Sequence, residues 1–270
     1  MNNGLNIPSS PVLYLSHGGG PLPLLGDKGH QSLVNFFKKV TPTLGMPTAI
    51  LVISAHWEED KPTITSGAFP SLIYDYYGFP KESYEIKYPA PGSPELANKI
   101  YNLLGCAGIE AKLDPQRGFD HGLFVPLKLM YPNANIPCVQ LSLVNSLRAE
   151  EHIQIGRALV DLRKENVLII GSGFSFHNIK EFFSPSTPEN QAKNMAFEKW
   201  LIDTCSSNQY SEDMRKQKLI NWGSAPAARY CHPREEHLLP LHVCYGVANT
   251  AAKQVFEMEI MGKMASAYLW

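Results

Sequence analysis

Apolar runs of strand length recur along the chain, and several of them end at a histidine or a glycine. VLYLS at Val12–Ser16 stops at His17 and the cluster Gly18, Gly19, Gly20, the pattern of a buried strand entering a tight loop. AILVIS at residues 49–54 runs straight into Ala55, His56 and Trp57. Residues 137–143 and 166–170 read as further buried strands, the second leading into GSGFSFHN, and a shorter strand is expected at 110–113. Between these runs the period changes. Residues 31–40 set Leu33, Phe36 and Phe37 on one side, and residues 150–163 do the same with Ile153, Ile155, Leu159 and Leu162, as amphipathic helices require. Ser93, Pro94 and Glu95 precede LANKIYNLLGCAG with a capping hydroxyl, a helix-compatible proline and an early acid. Helices are also expected near residues 189–205 and 237–253. Residues 69–91, rich in Tyr, Pro and Gly, hold neither period and predict a long ordered loop, and DPQRGFDHG at 114–122 predicts another. The alternation of strand and helix predicts an α/β, single-domain layered fold with a central mixed, largely parallel sheet flanked by helices.

A length of 270 residues suits one large α/β unit, so a single domain over 1–270 is expected, with residues 1–10 flexible. With 24 basic and 25 acidic side chains and no long Lys/Arg run, neither nucleic acid nor a membrane is an expected partner. The apolar runs are too short to span a bilayer, and MNNGLNIPSS lacks the basic and apolar regions of a secretion signal. Five cysteines without a CxxC pair fit reduced thiols in a cytoplasmic protein better than disulfides or a thiolate zinc site. Oligomeric state is not legible.

The nine histidines carry the chemistry. His17, His56 and His177 follow apolar strands, and His121 lies in a glycine-flanked loop after a shorter one. Loops beyond the carboxyl ends of neighbouring strands converge in such folds, so these imidazoles are expected to meet as hydrogen-bonded, protonated or metal-bound groups. His237 in CHPREEHLLPLH enters an apolar stretch, with His232 and His242 as nearby alternatives, whereas His30 and His152 are expected to be structural or on the surface. No HExxH, zinc-finger, P-loop, dinucleotide or GxSxG pattern is present.

Seven ordered segments, LSHGGGPLPLL, VISAHW, YPAPGSPELA, GFDHG, IPCVQLSL, GSGFSFHNI and HPREEHLLPL, together resemble the class III extradiol dioxygenases (LigB-like), in particular the branch of the 4,5-DOPA extradiol dioxygenase-like proteins. The resemblance implies a mononuclear metal held by His17, His56 and His237, with His121 and His177 as catalytic, proton-handling residues. It implies cleavage of a catechol-type, DOPA-like substrate by O2 with ring opening to a muconic semialdehyde. His177 would serve as base and His121 as acid. Fe(II) is expected for activity, with Zn(II) the alternative occupant of the purified protein, because three neutral imidazoles resemble a zinc donor set and lack the carboxylate of the usual iron triad. Gly19 and Gly20 depart from the Ser-Pro that many members carry. Trp57, Tyr74, Tyr76, Tyr77 and Phe79 are candidates for packing the substrate ring, and Lys87, Arg117 and Arg229 for a substrate carboxylate. A zinc-dependent hydrolase and a non-catalytic metal-binding protein on the same fold are the competing readings.

Overall fold

Strands β1 (Val12–Ser16), β5 (Cys138–Val144) and β6 (Val167–Gly173) are buried along their whole length, which explains their unbroken apolar sequences: a strand covered on both faces has no polar side to show. The computed structural model describes residues 9–270. The flexibility expected of residues 1–10 therefore falls mostly outside the described residues, while Ser10 is buried and bonds through its backbone to Arg163.

The sheet has eight strands in the order β4-β3-β5-β2-β6-β1-β8-β7. β2 (Ala49–Glu59) runs parallel to both β5 and β6, and β6 parallel to β1. β3 (Thr63–Thr65) pairs parallel with β4 (Lys112–Asp114) but antiparallel with β5. The hairpin β7 (Gln254–Ile260) and β8 (Lys263–Leu269) adds an antiparallel edge beside β1. The fold class is the one expected, a mixed and mostly parallel sheet with helices on both faces.

Alternate residues of each strand feed two cores. Val12, Tyr14, Leu51 and Ile53 join one cluster with α2 (Pro94–Cys106), α4 (Ala149–Ala158), α6 (Pro188–Ser206) and α9 (Leu239–Ala248). Leu13, Leu15, Ile50 and Val52 join the other with α1 (Gln31–Leu44) and α3 (His121–Met130). The short α5 (Ile179–Phe182) follows β6, and α7 (Glu212–Ile220) and α8 (Ala228–Cys231) lead to the segment before α9.

Several boundaries differ from the sequence reading. β2 continues past Ser54 through His56, with a register shift against β5 between Ile53 and Glu58; such irregularities re-aim side chains at the ends of strands. His121 is the first residue of α3 and not part of a loop. The helix escaped notice because it is buried almost all round and contains Gly122 and Pro126, which removes the amphipathic period. α4 stops at Ala158 and is followed by a 3-10 segment at Val160–Glu165. α9 begins only at Leu239, leaving His237 in the turn before it.

Candidate active site

The five histidines singled out by position do converge. His17 follows β1, where its backbone N–H bonds to the Gly173 carbonyl at 3.2 Å. His56 sits in the shifted stretch of β2, His121 opens α3, and His177 follows β6. His237 arrives from a distant turn, and its carbonyl oxygen accepts from Tyr14 Oη at 2.9 Å and from the Phe174 N–H at 3.0 Å. That approach requires Gly173: a Cβ there would lie 2.1 Å from the His237 oxygen.

One ring nitrogen each of His17, His56 and His237 lies within 4.8 Å of the other two. The Nε2 atoms of His17 and His56 face each other at 2.9 Å. His177 stacks on His237 with ring centroids 3.3 Å apart, and His121 lies against His56 at 3.9 Å. Burial, then the neighbouring imidazoles, hold His17 and His237 well below the ordinary histidine pKa. His56 is held down in the same way, with Asp75 and Glu236 opposing the shift. These rings are therefore neutral near pH 7, the form in which a histidine can donate a lone pair.

The other edges of the rings fix which nitrogen that is. Ser172 Oγ donates to the Gly122 carbonyl at 2.5 Å and so accepts from His17 Nδ1 at 3.1 Å. Glu236 Oε1 accepts from His237 Nδ1 at 2.9 Å and lies 3.1 Å from Nδ1 of His177. Asp75 Oδ1 accepts both the backbone N–H and Nδ1 of His121, at 3.0 and 2.8 Å, while Oδ2 lies 3.6 Å from His56 Nδ1. Burial raises the pKa of Asp75 and of Glu236, but hydrogen bonds and charge from His121 and His177 respectively outweigh it, and both remain below the ordinary carboxylate range. An ionised carboxylate only accepts, so Nδ1 carries the proton in His121, His177 and His237, as it does in His17 through Ser172, and their Nε2 atoms are left bare, whereas Asp75 at 3.6 Å does not fix the tautomer of His56.

Asp75, Ser172 and Glu236 were not singled out in the sequence. Glu236 had a signal, standing beside His237, but nothing in the spacing joins Asp75 to His121 across 46 positions. Asp120, before α3, is buried and accepts from Ser54 at 2.8 Å and from Arg117 at 3.2 Å; Gln140 also donates to it. It anchors the turn that presents His121.

The remaining histidines are structural. His30 Nε2 accepts from the Gly19 N–H at 2.9 Å and so pins the glycine loop next to His17. His152 Nε2 accepts from Val144 N at the end of β5. His232 and His242 point at backbone carbonyls, 2.6 Å from Ser175 and 2.9 Å from Leu219, and neither joins the cluster. His30 and His152 thus have the structural role expected of them, each bonded at or just past the end of a strand.

A cavity of about 240 Å³ opens over the five histidines, with Tyr76, Phe79, Phe174, Phe182 and Met261 on its walls. Larger clefts occur elsewhere, such as one of about 430 Å³ beside Lys61 and Arg148, but they gather no such ligand set. Of the aromatic candidates, Tyr76 and Phe79 line the cavity. Tyr77 is 92% exposed, Tyr74 is tied to the Ile86 carbonyl, and Trp57 lies under the Arg117 guanidinium. The three cations considered for a substrate carboxylate are absent from the walls: Arg117 pairs with Asp120, Arg229 with Glu235, and Lys87 is exposed elsewhere.

Residues 7–269 match the family described as the catalytic LigB subunit of aromatic ring-opening dioxygenase. The chain belongs to this metal-dependent family and is an extradiol ring-opening dioxygenase, acting on a small aromatic molecule and O2. It is 44% identical over 245 residues to a 4,5-DOPA dioxygenase extradiol of Beta vulgaris, covering 90% of this chain and 88% of that one. It is 40% identical over 282 residues to Dioxygenase tasH of Hapsidospora irregularis, covering 97% and 85%. The crystal structure of an uncharacterized protein of Escherichia coli K12 superposes with a TM-score of 0.77 at 30% identity, covering 96% of this chain and 99% of that one. Among the described residues, no helix is long and apolar enough to cross a membrane.

Three neutral imidazoles, those of His17 and His237 buried with Nδ1 engaged on the far side and that of His56 half-buried, fit a divalent ion. Ligand nitrogens about 2.0–2.1 Å from a common ion need only small side-chain adjustments from the observed spacing.

Proposed function

We propose that the chain, as one catalytic domain over residues 1–270, inserts both atoms of O2 into a catechol-type substrate beside the diol, giving a muconic semialdehyde. His17, His56 and His237 hold the metal, which is Fe(II) in the active enzyme, and His121 and His177 handle protons. The observation that supports this reading most is the meeting of one ring nitrogen each of His17, His56 and His237 within 4.8 Å of one another beside a cavity. His17 and His237 each have Nδ1 engaged, on Ser172 and Glu236, which leaves their Nε2 lone pairs for a cation.

When bound, Fe(II) would supply a redox-active Lewis acid for substrate and O2, whereas Zn(II) would supply only the Lewis acidity. The same three imidazoles suit Zn(II), so zinc is expected in protein purified without added iron. The protein's own part is to orient and to move protons. Glu236 keeps the Nδ1 edge of His177 occupied, leaving Nε2 to take a proton from a catechol hydroxyl. Asp75 does the same for His121, whose ring also lines the cavity; once its Nε2 has taken up a proton released by the catechol, it serves as the acid for the departing oxygen. The aromatic walls exclude water and stack the ring. The free thiols of all five cysteines support a cytoplasmic location. DOPA, named by the relatives, heads the catechols to be tried.

The test is anaerobic loading of apoprotein with Fe(II), then addition of DOPA, caffeate or protocatechuate and air. One O2 consumed per catechol with a yellow ring-opened product is expected. In variants, His17→Ala, His56→Ala and His237→Ala should lose iron by elemental analysis, while His121→Ala and His177→Ala should keep most of it and lose turnover. Full iron binding without oxygen uptake over a broad catechol panel would overturn the activity. Equal iron loss in all five variants would overturn the division of roles.

A further inference from the structure

The wall of the cavity says more about the substrate than the histidines do. Among the described residues, no lysine, arginine, aspartate or glutamate lines it, and residues 1–8 contain no charged side chain to add. Its rim is apolar as well. Ile179, Phe182 and Phe183 all line the opening, with Ile179 61% and Phe183 79% exposed. Single exposed apolar side chains are ordinary, but a group of them on the rim of a cavity marks a surface that something apolar covers. The helix turn carrying them is held from below by aromatic contacts, Phe182 lying 5.5 Å from Phe174 and 5.4 Å from Phe176 between ring centroids. Lys180, beside Ile179 in sequence, does not line the cavity.

Size points the same way. A dry cavity of roughly 150 Å³ accommodates a benzene ring, so about 240 Å³ takes one ring and a short substituent, the remainder of which lies along the rim. A carboxylate or a zwitterionic amino-acid group laid against these apolar side chains gives up part of its hydration and meets no charged partner among the lining residues.

Resting on the dioxygenase reading above, we propose that the physiological substrate is a catechol whose ring substituent is uncharged and apolar, received by Ile179, Phe182, Phe183 and Met261, and not an amino-acid or carboxylated catechol. Discrimination then comes from burial of the substituent, worth roughly fourfold per methylene, and from the absence of a counter-charge.

The test compares near-isosteric substrates on the Fe(II)-loaded enzyme: 4-butylcatechol against 3,4-dihydroxyphenylpropionate, with DOPA as a third. We expect kcat/KM for 4-butylcatechol to exceed that of both others at least tenfold. Phe183→Lys, at an exposed position where the fold should tolerate it, should narrow or reverse the preference between the first two. Dissociation constants for the same three compounds, measured anaerobically by calorimetry, should follow the same order without depending on turnover. Efficient, stoichiometric cleavage of DOPA or the propionate at rates equal to or above the butyl compound would overturn this inference and leave the dioxygenase reading standing. Absence of oxygen uptake with every catechol would sink the dioxygenase reading, and the binding order would then decide the apolar preference by itself, equal affinities counting against it.

Discussion

Replacing Asp75 by Asn changes one charge and almost no volume, and it isolates what the carboxylate does for His121. Asp75 Oδ1 accepts from the His121 backbone N–H at 3.0 Å and from its Nδ1 at 2.8 Å. Hydrogen bonds to a charged acceptor contribute about 1.5–3 kcal/mol against about 0.5–1.5 kcal/mol for neutral ones, so the two weakened bonds together remove about 2–3 kcal/mol from the arrangement. The Asp75 side chain is 21% exposed, and solvent screening puts the effect at the lower end of that range. If the fixed tautomer matters only when the proton moves, the loss falls on kcat, by about 10- to 100-fold at 1.36 kcal/mol for each factor of ten. KM should change by less than about threefold, because Asp75 does not line the cavity. Oδ2 is 3.6 Å from His56 Nδ1, too long for a hydrogen bond, so iron content at saturating Fe(II) should hold. The assay is initial oxygen uptake over a range of catechol concentrations, with elemental analysis and a thermal melt on the same samples. A variant with normal iron and a kcat within about twofold of the parent would refute the positioning role. A parallel loss of iron and activity would assign Asp75 to the metal through His56 instead.

Gly173→Ala should be severe for a small change, since the new Cβ would lie 2.1 Å from the His237 carbonyl oxygen; overpacking of this kind costs about 1–3 kcal/mol. The displaced backbone carries His237, a proposed metal ligand, so iron content should fall with the melting temperature, and an alanine variant with full iron and an unchanged melt would contradict the close approach. Glu198, whose carboxyl burial pushes up to about 7, accepts from Ser266 at 2.6 Å in a site 5% exposed. Because its folded value lies above its unfolded value of 4.5, the unfolded chain ionises first. Stability is thus lost as pH rises from about 4.5 to about 7, by about 3 kcal/mol, and levels off above. Glu198→Gln should abolish that part of the slope in urea titrations between pH 4.5 and 8, whereas parallel curves for parent and variant would show that Glu198 does not titrate there.

What the chain reveals before folding depends on how local its cause is. β1, β5 and β6 were legible because a doubly buried strand needs an apolar residue at every position, and α2 because Ser93 caps it, accepting from the Leu96 N–H at 3.2 Å. α3 was not, because burial on nearly all sides erases the polar face, nor was the β7–β8 hairpin, whose pairing with β1 is a long-range event. The same division runs through the site. Histidines at strand ends announce themselves, since the strand before each is visible. Their partners do not, because Ser172 and Asp75 meet their imidazoles across 155 and 46 positions, and the substitution of one polar residue in a strand or loop leaves no periodic trace.

This division also separates the parts of the enzyme that set chemistry from those that set substrate. His17 follows β1 and His56 lies in β2, the two strands that flank β6 in the parallel centre of the sheet, and His237 is clamped by Tyr14 and Phe174 against Gly173, so the proposed ligand geometry belongs to the rigid centre of the fold. The apolar rim rides on a four-residue helix that follows β6 and touches the core through Phe182. Substitutions there alter what lies over the metal site without moving a proposed ligand or its carboxylate partner. Relatives that share the five histidines can therefore differ in substrate at this turn, and comparing its side chains with measured catechol preference is the direct way to connect sequence to specificity on this fold.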